Sequence, residues 1–195
     1  RDDVESRGLG DVYKRQEYLH SYISVLPYNE LGAAAAAYNA DEKELCRLDE
    51  IYSAAKTPFE IRSGSEKVTR RFFKICNNGQ ESFTGLYKSL TEQGICKGHQ
   101  CIAYGLYMRD NGIELSEGLA VYGYSICSAI VTNCVKLVPL SQLAGQKILG
   151  ESFELISSAS EKALFTDIND IGISGAGFDL RAMQHERLYS RQYMS

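Results

Sequence analysis

The chain has 195 residues, of which 44% are hydrophobic and 24% charged; that length and balance indicate a folded single domain and argue against a disordered chain. Its 21 basic and 25 acidic residues leave a formal charge of −4, which argues against a general nucleic-acid binder. Three prolines, no tryptophan and a run of five alanines favour helix over a many-stranded β fold.

Residues 1–16, RDDVESRGLGDVYKRQ, carry four basic and four acidic side chains without apolar periodicity. They are expected to be an unstructured, non-native segment, because the DVYKRQ ending looks like adaptor read-through in translated sequence. From Glu17 to Ala40 the pattern is helical, with a break near Pro27. Asp41 and Glu44 have the spacing of a capping box. Leu45, Leu48, Ile51, Tyr52 and Ala55 then recur on one helical face. Pro58 opens the next helix, for which Val68, Phe72, Ile75 and Cys76 form the expected buried stripe, with Asn78-Gly79 as its stop.

Phe83, Leu86, Tyr87 and Leu90 mark a further helix, stopped near Gly94, and His99 to Asn111 marks another, ended by Gly112. Ser116 is expected to cap a long helix reaching about Lys136. Residues 118–135 carry no formal charge, which reaches the length of a membrane span. The serines, threonine and asparagine in that stretch favour instead a central helix buried on most sides, for which a dimer seam is one means of burial. After Pro139 a helix is expected to about Ser157, then a short one from Ser160, a loop around Gly172–Gly177, and a final helix or tail from Phe178 to Tyr189. No repeat and no strand alternation interrupts this order. The expected fold is all-α, a single-domain helical bundle over 17–195.

Chemical motifs are sparse. There is no phosphate-cradling G-x-x-x-x-G-K-[ST], no G-x-G-x-x-G after a strand and no G-x-S-x-G. His185-Glu186 lacks the second histidine of a zincin, and His20 has no evident role. The expectation is therefore no enzyme, no catalytic residue and no tightly bound cofactor. Six dispersed cysteines and no secretory signal point to a reduced, cytoplasmic protein with buried thiols. Cys127 and Cys134 lie seven apart on one helical face, as core residues do. The alternative chemical reading is direct nickel or zinc binding by Cys96, His99 and Cys101. A closed site needs a fourth ligand, so a structural role is favoured for these three. The ending Arg181, Met183, His185, Tyr189, Arg191 and Tyr193 combines long cationic and aromatic side chains of the kind that anchor interfaces.

Three ordered blocks resemble the urease accessory protein UreF family. Ala182-Met183-Gln184-His185-Glu186-Arg187-Leu188-Tyr189-Ser190-Arg191 looks like its C-terminal signature. Residues Asn133 to Gln142, with Lys136 and Pro139, continuing to Gly145-Gln146, resemble its central helix exit. Ala55 to Arg62 resembles its segment with P-x-E-x-R, and His99 with Tyr104-Gly105 falls where the family has a His and a Gly before the long helix. Ala120 stands where some members have Arg, Tyr124 matches a tyrosine one turn later, and Gln192 replaces a common Leu. The family's N-terminal segment rich in Pro, Gly, His and Ser has no counterpart, so an N-terminally truncated member is expected.

The resemblance implies a homodimeric, non-catalytic scaffold and regulator that joins UreD (also called UreH) and the GTPase UreG. That complex passes nickel into apo-urease, with GTP bound by UreG and nickel only in transit. It implies that the tail from Arg181 to Tyr193 docks on UreD, with Tyr189 as anchor and Arg191 as charge partner. It implies too that Tyr124 shapes the UreG-facing or dimer surface. Gln142 and Gln146 could line a hydrated route for the ion, or could serve only in capping and packing.

Overall fold

A computed structural model describes residues 16–76, 79, 81–137, 141–173 and 175–189. Residues 16–25 form helix α1, and a 3-10 turn at Leu26–Tyr28 follows, with Pro27 in its first turn. Then come α2 (Glu30–Asn39), α3 (Glu42–Ala55), α4 (Phe59–Ile75), α5 (Phe83–Glu92), α6 (Gln100–Asp110), α7 (Leu115–Leu137), α8 (Gln142–Glu151) and α9 (Phe153–Ala163). A second 3-10 turn at Ile168–Asp170 leads to α10 (Ala176–His185). The fold is all-α, as expected: every regular element among the described residues is helical. Of the first sixteen residues only Gln16 is described, and it opens α1.

The alanine run decides the centre. Ala33, Ala34, Ala35 and Ala37 are buried in α2, where a side chain that favours helix and adds little bulk lets neighbours approach closely. Helix α2 therefore packs on α3, α6, α7 and α9. The approach is tightest at α6: a Cβ built on Gly105 would stand 2.2 Å from the Ala34 carbonyl oxygen. Leu19, Leu26, Leu31, Leu45, Leu48, Ile102, Leu106, Leu119 and Leu149 close the core around this contact.

Local signals hold in several places. Asp41 Oδ1 accepts from the Glu44 N–H at 2.8 Å while Glu44 Oε2 accepts from the Asp41 N–H at 3.0 Å, the reciprocal capping box. Pro58 is the N-cap of α4. The P-x-E-x-R segment is a corner: Arg62 donates from Nη1 to the Lys56 carbonyl at 2.7 Å and the Thr57 carbonyl at 3.3 Å. Lys56 in turn pairs with Glu30 at 2.6 Å under cover of the fold. Burial works against the Lys56 ammonium, yet the Glu30 carboxylate holds it above its ordinary pKa.

Three expectations are corrected. The stripe of α4 is rotated: Thr69 and Phe73 are the buried positions, whereas Val68 and Ile75 are exposed and Phe72 and Cys76 only half-buried. The inward face of α4 carries the hydroxyls of Ser65 and Thr69, which apolar periodicity cannot register. The helix after Pro139 breaks at Ser152, which is fully buried and donates its hydroxyl to the Ile148 carbonyl at 2.8 Å. Ser152 ends α8 and starts α9, so no break falls near Ser157. Helix α7 starts at Leu115, with Glu114 rather than Ser116 accepting from the first turn, at 2.9 Å from the Glu117 N–H.

Candidate functional site: a closed polar hub and two outer faces

The loop between α5 and α6 is held by one carboxylate. Asp49, on α3 and 2% exposed, accepts from the Lys97 N–H at 2.7 Å, the Gly98 N–H at 3.1 Å and the Tyr87 hydroxyl at 2.6 Å. Gly98 has φ of 86°, a left-handed conformation that glycine adopts without penalty. The Tyr87 oxygen then accepts the His99 N–H at 2.8 Å. Burial, then the Asp49 charge, pushes the Tyr87 hydroxyl well above its ordinary pKa, so it stays a donor to the carboxylate.

His99 sits at the head of α6 with no exposed surface. Its Nε2 shares a hydrogen bond with Ser53 Oγ at 2.8 Å, and its Nδ1 lies 3.3 Å from Ser65 Oγ. The Tyr52 ring packs edge-on at 4.9 Å between centroids. Ser65 Oγ also accepts the Gln100 N–H at 3.2 Å. A serine–histidine pair of this length can be a nucleophile and base, but here neither ring nitrogen meets a carboxylate and the imidazole is closed to solvent. The arrangement is a brace joining α3, α4 and α6. Ser53, Ser65 and Asp49 were not singled out in the sequence, and Tyr87 was read only as part of an apolar helical face.

Cys96, His99 and Cys101 do not converge. Cys96 turns to Cys46, with Sγ atoms 3.8 Å apart. Cys101 is buried beside Tyr52, where burial pushes its thiol up to about 12. Both nitrogens of His99 face serines. Among the described residues no group of three His, Cys, Asp or Glu side chains is placed to hold a metal ion. Each of the three side chains is already engaged by a different neighbour: Cys96 by Cys46, Cys101 by Tyr52 and His99 by Ser53 and Ser65.

Burial, assisted by Lys56 and Arg62 and opposed by Asp49, lowers the His99 pKa from 6.5 to about 4. His99 is neutral in the fold and charges more readily when unfolded. Stability is then independent of this residue above about pH 6.5, falls as pH drops through 6.5 towards 4, and levels below. We expect a loss of roughly 3 kcal/mol across that window. Urea unfolding at pH 7.5, 5.5 and 4.5 checks it, and His99→Gln should flatten the slope.

The first outer face is on α7. Contrary to the expectation of burial on most sides, Val121, Tyr124, Ser125, Ala129, Thr132 and Asn133 face outward. Gly118, Leu119, Tyr122, Cys127 and Val131 carry the inward side. The helix is long and apolar enough to cross a membrane by length and composition, but its inner side packs on α2, α6, α8 and α9. Tyr124 packs on Phe153 of α9 with centroids 5.6 Å apart. Lys136 is exposed in the last turn. Gln142 and Gln146 are exposed one turn apart on α8, beside Leu143, which is 82% exposed.

The second face is the C-terminal segment. Helix α10 folds back on the chain: Phe178 meets the rings of Tyr18 and Tyr22 edge-on at 5.1 and 5.5 Å. His185 Nδ1 lies 2.7 Å from Glu60 Oε2, and the Glu60 N–H donates to Glu186 at 3.3 Å. His185 thus fastens α10 to the start of α4. Arg181 is exposed and donates to Gln184 at 3.1 Å, while Met183 is half-buried. Leu188 and Tyr189 are exposed. Arg191 and Tyr193 lie outside the described residues.

Fold and site together define a helical protein with a buried polar hub at His99, an uncharged outer face on α7 and a C-terminal face that mixes charged and aromatic residues. The sequence model of the UreF family matches residues 11–152. The urease accessory protein UreF of Actinobacillus pleuropneumoniae serotype 5b (strain L20) is 31% identical over 197 aligned residues, covering 98% of this chain and 85% of its own length. That of Haemophilus influenzae (strain PittGG) is 32% identical over 198, covering 98% and 82%. That of Paenarthrobacter aurescens (strain TC1) is 31% identical over 152, covering 76% and 67%. The chain belongs to the UreF family of urease accessory proteins.

Proposed function

We propose that this chain is a non-catalytic scaffold and regulator in a cytoplasmic complex with UreD (UreH) and the GTPase UreG that inserts nickel into apo-urease. The observation that carries the reading is similarity to urease accessory proteins over nearly the whole chain. The chain bridges UreD and UreG and governs the productive use of GTP hydrolysis. Nucleotide is bound by UreG, and nickel is cargo rather than a resident ion.

The two outer faces fit this division of work. A homodimer that pairs the outward side of α7 would cover its uncharged, apolar surface, which is costly to leave in water. Tyr124 with Phe153 supplies an aromatic anchor there or towards UreG, and Lys136 lies at the rim. Gln142 and Gln146 present amides that could pass a hydrated cation without trapping it as thiolates would. Arg181, Met183, His185 and Tyr189, with Arg191 and Tyr193, supply the UreD-facing segment.

The test is activation of apo-urease by purified UreD, UreG, GTP and nickel, with and without this chain. Activation should fall to background when the chain is omitted. Tyr124→Ala should lower it about tenfold, as loss of an aromatic anchor does. A chain lacking 181–195 should no longer retain UreD. Full activation without the chain contradicts the reading; full retention of UreD by the shortened chain removes the tail from it.

A further inference from the structure

Cys46 on α3 and Cys96 in the α5–α6 loop are fifty residues apart in sequence, yet their sulfurs touch at 3.8 Å. Both are free thiols. Cys96 is buried, whereas Cys46 is half-exposed and borders an open surface groove with Asp41, Glu42 and Lys43. The segments that carry them are already fixed relative to each other. Asp49, one turn after Cys46, binds the N–H groups of Lys97 and Gly98, the two residues after Cys96. A disulfide needs the sulfurs to close from 3.8 Å to about 2.05 Å.

We propose that Cys46 and Cys96 form a thiol–disulfide exchange site for low-molecular-weight disulfides of the glutathione class, closing to an intrachain disulfide. The Cys46 thiolate, nearer the solvent, attacks one sulfur of the small disulfide. A Cys46–S bond forms, the small disulfide's S–S bond breaks, and the first small thiolate leaves with the electron pair. Cys96 then gives up its proton, and its thiolate attacks Cys46 Sγ and expels the second small thiolate. Two protein thiols are oxidised and one small disulfide is reduced to two thiols. Burial, and after it the Asp49 charge, raises the Cys96 pKa, so its thiol has to give up its proton before it attacks. The product staples the loop that leads into His99 to α3.

The experiment treats the native chain with oxidised glutathione, then digests it without reduction for mass spectrometry. The expected result is a peptide pair joined through Cys46 and Cys96, with two thiols lost per chain. Amide exchange at Lys97 and Gly98 should slow at least tenfold, and Tm should rise by roughly 5–10 °C. Cys46→Ser should abolish the link, and Cys96→Ser should trap a glutathione adduct on Cys46. The proposal is overturned if the native wild-type chain keeps a stable adduct at Cys46. It is equally overturned if the link forms only after denaturation.

Discussion

Asp49→Ala is expected to lower the unfolding free energy by about 3–5 kcal/mol, measured as a fall in urea midpoint with unchanged slope. One buried carboxylate satisfies two backbone N–H groups and the Tyr87 hydroxyl. Alanine leaves the buried Tyr87 hydroxyl and Gly98 N–H without an acceptor, each at the cost of its desolvation, and removes the acceptor of the part-buried Lys97 N–H. The effect should not be confined to the loop, because the Tyr87 oxygen also receives the His99 N–H. Tyr87→Phe removes one donor and one acceptor together and should cost less. Since both substitutions dismantle the same network, the double variant should be less destabilised than the sum, by about 1–3 kcal/mol. Strict additivity would show that the carboxylate and the tyrosine act separately.

Gly105→Ala is expected to be strongly damaging although it adds a single methyl group. The new Cβ meets a carbonyl oxygen and the backbone carbon of Ala34, both of which move only if α2 moves. Alanine gains about 1 kcal/mol over glycine in a helix interior, but overpacking against backbone outweighs it, for a net loss of roughly 3 kcal/mol or more. Gly64 in α4 gives the opposite case, for a Cβ there meets nothing within 4 Å. Gly64→Ala should therefore stabilise by up to about 1 kcal/mol. Thermal unfolding of the two variants beside wild type separates packing from propensity.

Much of the helix order was legible because it rests on local chemistry. The Asp41–Glu44 box and the prolines at 27 and 58 act within a turn or two, and the structure uses each as its position predicts. The errors fall where a polar group is buried for tertiary reasons. Ser65 reaches the buried His99, and Thr69, one turn on, is buried with its hydroxyl donated to the Ser65 carbonyl. Hydropathy assigns such residues to solvent and so places Val68 and Ile75 inside. The break at Ser152, which ends α8 and starts α9, is marked by no proline in the sequence.

The candidate site divides in the same manner. Tyr124, Lys136, Gln142 and Gln146 are outward, consistent with surface roles. Cys96, His99 and Cys101 are near in sequence, but in the fold they face Cys46, two serines and Tyr52 respectively. Cys46, fifty residues from Cys96, could not be paired with it from spacing. His185 was legible as a residue of an interacting tail, but not as the group that fastens α10 to Glu60.

The most direct measurement of the central claim is light scattering on the purified chain mixed with UreD and UreG in the presence of GTP. One species that holds all three proteins with two copies of this chain is expected, and no UreD–UreG species when the chain is left out. UreD and UreG associating equally well without it, with the chain eluting alone, would contradict its role as the bridge.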